Sequence, residues 1–66
     1  MPIIQVNILA GRSPELKAEL AAKITEVVSQ TLQAKPETIR VLLQEYADGE
    51  WFVAGKAMPV VKPPGS

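Results

Sequence analysis

Apolar and polar positions along the chain change period twice. From Pro2 to Leu9 the order Pro-Ile-Ile-Gln-Val-Asn-Ile-Leu is rich in β-branched residues. It sets Ile4, Val6 and Ile8 on one side of a strand and Ile3, Gln5, Asn7 and Leu9 on the other. Gly11-Arg12-Ser13-Pro14 then supplies a turn glycine, a serine able to cap a helix, and a proline at the first helical position, where its missing N–H costs nothing. Leu16, Leu20, Ile24, Val27, Val28 and Thr31 to Leu32 recur at helical spacing, while Lys17, Glu19, Lys23, Glu26 and Gln30 take the other faces. This predicts an amphipathic helix of about five turns. Lys35-Pro36 is expected to close it, because proline disfavours α geometry in the residue before it and has no N–H for the ladder. Alternation returns over Thr38 to Tyr46, with Ile39, Val41 and Leu43 on one face and Arg40, Leu42 and Gln44 on the other.

Strand, helix and strand make a β-α-β unit of the α/β class, with parallel strands joined by a right-handed crossover. One helix covers one sheet face. The other face mixes Ile3, Leu9 and Leu42 with Gln5, Asn7, Arg40 and Gln44, and other subunits are expected to pack on it. Ala47-Asp48-Gly49 is a turn, and Trp51-Phe52-Val53-Ala54-Gly55 predicts a short strand or hairpin arm that reaches a neighbour. Residues 1–58 are therefore expected to form a single domain. Three prolines and a glycine in residues 59–66 predict an extended or flexible tail.

Composition narrows the possible functions. A chain of 66 residues holds one small domain. Near this size only about 60% of the unfolded surface is buried, so disulfides, a metal or partner subunits usually add support. Cysteine and histidine are both absent, which removes disulfides, thiolate and imidazole ligands, and every Cys or His nucleophile or base. Oligomerisation is the support that remains. Seven Lys plus Arg balance seven Asp plus Glu, so no basic field exists to collect nucleic acid or anionic lipid. Apolar runs are too short for a membrane span or a signal-peptide core, so a soluble, cytoplasmic protein is expected. The carboxylates show neither paired-acid nor metal-ligand spacing, which leaves glycosidase and metallohydrolase chemistry without support.

The residues that bear chemistry are few. Initiator methionine is generally removed before a residue as small as proline, which would leave Pro2 as an amino-terminal secondary amine. An ordinary α-amino group titrates at roughly 7.7–8.0, and a prolyl amine is intrinsically more basic. Burial among apolar groups and nearby guanidinium groups both disfavour its ammonium form. The chain has two arginines, Arg12 and Arg40, to supply that charge. An amine so tuned moves protons near neutral pH. Against this, Pro2 also reads as a merely permissive second residue. Arg12 is either a solvated turn residue or a planar fork for a substrate carboxylate. Arg40 interrupts a strand of Ile, Val and Leu, where an unpaired charge is costly. It calls for an anion or for an intersubunit salt bridge to Glu37, Glu45 or Glu50. Trp51 fits core or interface as well as the wall of a site.

Taken in order, the Pro2-Ile3-Ile4-Gln5-Val6 strand, the Leu9-Ala10-Gly11-Arg12-Ser13 turn, the helix, the Ile39-Arg40-Val41 strand and the Trp51 to Gly55 arm resemble the 4-oxalocrotonate tautomerase family. The resemblance covers residues 2 to about 58. It implies a β-α-β protomer assembled as dimers that usually form homohexamers, with active sites lined by more than one subunit and no cofactor. It implies an isomerase of the kind used in aromatic hydrocarbon catabolism. Pro2 would then be the general base, Arg12 would bind the distal carboxylate of a dienol diacid, and Arg40 from a neighbouring subunit would bind the carboxylate and carbonyl end. Backbone near Leu9 would help hold a water at the carbonyl. Trp51, where such tautomerases carry phenylalanine, would form the apolar wall that lowers the proline's basicity.

Two other outcomes stay open. A hydrolytic dehalogenase or hydratase of the same superfamily also needs a carboxylate to activate water, but Val53 stands where that glutamate is expected, with Glu50 three residues earlier on the opposite strand face. A non-catalytic oligomeric binding module would have Pro2 blocked and its arginines holding subunits together.

Overall fold

The protein was studied as a computed structural model that describes residues 1–62. The chain enters strand β1 (Ile3–Leu9) and crosses through helix α1 (Pro14–Leu32) and a single 3₁₀ turn (Pro36–Thr38). It returns in strand β2 (Arg40–Tyr46) and ends in a hairpin of β3 (Phe52–Val53) and β4 (Lys56–Ala57). β1 and β2 pair in parallel, with Ile3 opposite Arg40 and Leu9 opposite Tyr46, as the strand-helix-strand order predicts. β3 and β4 are antiparallel. Their connection places Ala54 and Gly55 at φ 52° and 80°, the left-handed pair of a tight hairpin turn.

The helix begins where its capping residues dictate. Ser13 is extended and its Oγ accepts from the Leu16 amide at 3.2 Å, Pro14 opens the first turn, and Glu15 adds a negative charge at the positive end of the helix dipole. It stops earlier than Lys35-Pro36 predicts. Gln33 turns left-handed at φ 55°, the Ala34 amide returns to the Ser29 carbonyl, and Ser29 Oγ donates to the Ala34 carbonyl at 2.7 Å. Pro36 instead opens the 3₁₀ turn. Hydrogen bonds from Thr38 to Lys35 and from Ile39 to Pro36 then delay β2 to Arg40 rather than Thr38.

The apolar arc of α1 is wider than two strands can cover. Lys17, Ala21, Ile24 and Val28 are half-buried, and the Lys17 ammonium reaches Glu45 of β2 at 2.8 Å. Leu16, Leu20 and Val27, roughly 40–80° further round at 100° per residue, stay exposed, as does Leu32. The single apolar face predicted for α1 is thus divided. Lys17 lies on its inner half, its stem packed and its head paired.

Ile4, Val6, Ile8, Val41 and Leu43 are half-buried, whereas Ile3 and Leu42 on the opposite sheet face are 63% and 51% exposed. Among the described residues only Ile39 is buried, with 8% of its surface exposed. The radius of gyration, 14.4 Å, exceeds the roughly 11 Å of a compact chain this long. The protomer alone is a thin layer with an unfinished core. Because Ile39 joins the 3₁₀ turn to β2, Ile39→Ala is expected to cost about 2–4 kcal/mol, measurable as a lowered denaturant midpoint with unchanged m.

Pro59–Lys62 form no helix or strand. Val60 donates to Asp48 Oδ1 at 2.9 Å and Val61 to the Ala10 carbonyl at 2.8 Å, so this stretch is tied to the domain. Of the extended or flexible tail expected over 59–66, residues 63–66 lie outside the described residues.

Candidate active site

The parallel ladder sorts the candidate residues to its two ends. Pro2 immediately precedes β1, and its carbonyl accepts the Arg40 amide at 3.0 Å, which extends the ladder by one rung. This holds the Pro2 backbone beside Arg40. The exposed Arg40 side chain lies on the face that α1 leaves open, and its Nη1 donates to the Glu37 carbonyl at 2.9 Å. The 3₁₀ turn therefore orients the guanidinium through a carbonyl. Among the described residues Arg40 meets no carboxylate of its own chain: Glu45 pairs with Lys17, and Glu50 Oε1 accepts the Ala47 amide at 2.8 Å.

At the other end, Leu9 closes β1 and its carbonyl accepts Arg12 Nη1 at 3.1 Å. Gly11 takes φ 123°, a value that L side chains rarely adopt, and lets the chain turn between Leu9 and Arg12. Trp51 is half-buried, edge-on to Tyr46 with centroids 5.5 Å apart and planes at 87°. The Trp51 carbonyl accepts the Met58 amide at 2.7 Å, which fixes the base of the hairpin. Asn7, Tyr46, Glu50, Trp51 and Phe52 line an open groove of about 300 Å³ here.

Within one chain, then, Pro2 and Arg40 come together, and so do Leu9 and Arg12, with Trp51 stacked on the residue paired to Leu9. The two groups are separated by the length of β1, about 20 Å at 3.3 Å per residue.

Asn7 and Tyr46 were not singled out by sequence, yet Tyr46 Oη donates to Asn7 Oδ1 at 3.1 Å across the two strands. Their membership of the uncovered face was the one available signal, since their meeting depends on register. Glu50 is likewise not on the opposite face of a strand. β3 begins at Phe52, and Glu50 stays in the preceding turn, tied to Ala47. Val53 has no carboxylate and is 54% exposed. Among the described residues no three of His, Cys, Asp or Glu converge on a point that would hold a metal ion.

The arrangement is thus a parallel β-α-β protomer with a proline at position 2, two arginines at opposite ends of the sheet and an aromatic arm. The model of the tautomerase enzyme family matches residues 2–59. A probable tautomerase of Halalkalibacterium halodurans is 48% identical over 85% of this chain and 92% of its own. A 2-hydroxymuconate tautomerase of Pseudomonas putida is 37% identical over 94% and 98%. Among solved structures, a heterohexamer 4-oxalocrotonate tautomerase from Chloroflexus aurantiacus superposes with a TM-score of 0.83 at 31% identity, covering 88% of this chain and 94% of that one. The chain belongs to the tautomerase enzyme family, and its neighbours there are members of the 4-oxalocrotonate tautomerase family. It is an isomerase of that family.

Proposed function

We propose that the protein is a keto-enol tautomerase that converts 2-hydroxymuconate-like dienols to 2-oxo-3-hexenedioate-like unsaturated 2-oxo acids. The observation that carries this is the similarity to the 2-hydroxymuconate tautomerase over nearly the whole of both chains, in a sequence that has Pro2, Arg12 and Arg40.

With Met1 removed, the Pro2 nitrogen takes the proton of the 2-hydroxyl. The O–H electron pair closes the carbonyl, the diene electrons shift outward, and the distal carbon receives the proton back from Pro2. One base of intermediate basicity serves both steps. Arg12 holds the distal carboxylate. Arg40 holds the carboxylate at the carbonyl end and stabilises charge on the carbonyl oxygen, while backbone near Leu9 helps keep a water there. Trp51 is the apolar wall that disfavours the prolinium form. The hydrolytic alternative is weakened by Val53 and by the bond that ties Glu50 to Ala47.

A hexadienedioate is far shorter than β1, so Pro2 and Arg12 acting on one molecule must come from different subunits. The exposed sheet face, the exposed half of α1 and the sparse burial among the described residues support a homohexamer, a trimer of dimers; a cytoplasmic location and a place in aromatic hydrocarbon catabolism belong to the same reading through the family resemblance. Mixing tests this arrangement. Pro2→Ala and Arg12→Ala chains, each impaired alone, should regain on the order of a quarter of wild-type activity when refolded together, because intact sites form across mixed interfaces. A mixture no better than its parents would contradict it.

A further inference from the structure

The turn that presents Arg12 is held from outside by a segment with no role so far. Beyond β4, Val60 donates to Asp48 Oδ1 at 2.9 Å and Val61 to the Ala10 carbonyl at 2.8 Å, and both valines are half-buried. Asp48 and Ala10 belong to the two turns that leave the C-terminal ends of the parallel strands. Residues 60–61 thus strap the turn that carries Arg12 to the turn that leads to Trp51.

The contact at Gly11 is direct. A Cβ placed there would lie 1.8 Å from the Val61 carbonyl oxygen and 2.7 Å from its carbon. Gly11 is required for its φ and equally for the strap that lies against it. Glycine leaves a turn conformationally permissive, so fixing Gly11 removes backbone freedom one residue before the arginine. The Arg12 side chain is itself exposed and steadied by the Leu9 carbonyl. A guanidinium that meets a carboxylate with two parallel bonds depends on the placement of its backbone.

We infer that this C-terminal strap, with Val61 seated on Gly11 and Val60 on Asp48, is a positioning device that aims Arg12 at the distal carboxylate of the substrate. The inference rests on Arg12 as the distal-carboxylate ligand, so its test includes Arg12→Ala by itself.

Three substitutions in the full chain loosen the strap differently. Val61→Pro deletes the N–H that reaches Ala10, Gly11→Ala puts a methyl where the Val61 carbonyl lies, and Asp48→Ala removes the acceptor for Val60 while Asp48→Asn keeps an oxygen there. Each is assayed on 2-hydroxymuconate and on 2-hydroxy-2,4-pentadienoate, the same dienol without the distal carboxylate. The first three are expected to raise KM for the diacid roughly tenfold with kcat within about twofold. Constants for the monoacid stay unchanged, Asp48→Asn behaves as wild type, and adding Val61→Pro to Arg12→Ala produces no further loss. Equal losses on both substrates, a further loss in the Arg12→Ala background, or an unaltered diacid KM in all three would overturn the inference. Should Arg12→Ala alone leave the diacid KM unaltered, the assignment of Arg12 fails, and that result is distinct from failure of the strap.

Discussion

Pro2→Ala is expected to lower kcat for 2-hydroxymuconate ketonisation by about 10²–10³-fold with a much smaller change in KM, the usual worth of a positioned general base. Alanine supplies a primary amine of different basicity that lacks the ring fixing the direction of the nitrogen. The carbonyl of residue 2 would still accept the Arg40 amide, so the start of the sheet should be preserved and the loss should fall on proton transfer. Chains that retain Met1 should be more impaired still, because the Pro2 nitrogen is then an amide with no basic lone pair. In the active form the rate should fall on the acid side as the free amine takes up a proton. Steady-state kinetics on samples of defined intact mass check all three statements.

Arg40→Ala is expected to lower kcat by about 10²–10³-fold and to raise KM as well, since its guanidinium is assigned both ground-state binding and stabilisation of charge on the carbonyl oxygen. Arg40→Lys should recover little, because a point charge does not reproduce a planar fork. The competing role for Arg40, an intersubunit salt bridge, predicts something else: loss of activity accompanied by dissociation. Sedimentation of the Arg40→Ala protein at assay concentration separates the two, and an intact oligomer with lost turnover is the expected result. Within its own chain the Arg40 side chain is held by the Glu37 carbonyl rather than by a carboxylate, which leaves its charge available to an anion.

Much of the fold was legible in the residues because local chemistry and period agreed. Ser13-Pro14 marked the helix start, period-two alternation marked β1 and most of β2, and the order of elements required a parallel pair. The end of α1 was misplaced because the stop is a left-handed Gln33, a conformation its side chain does not announce, and not the proline that follows. The inner and outer halves of the helix were merged because periodicity measures an apolar arc and not what lies opposite. Lys17 sits on the inner half with Ala21, Ile24 and Val28, and its ammonium is paired there with Glu45 of β2.

At the candidate site, residue types were readable and neighbours were not. Pro2 beside Arg40, Tyr46 bonded to Asn7, and Val61 seated on Gly11 all depend on register or on a chain reversal that carries no local pattern. The separation of Pro2 and Arg12 to opposite ends of the sheet likewise emerges only when both strands are aligned.

The most direct test is the ultraviolet rate of 2-hydroxymuconate ketonisation, measured on protein whose intact mass shows that Met1 is gone. Turnover far above the solvent rate, lost in Pro2→Ala, is the predicted result. A rate equal to that of solvent with Pro2 free would contradict the proline-base account and would favour either a different substrate shaped by Trp51 or a binding module.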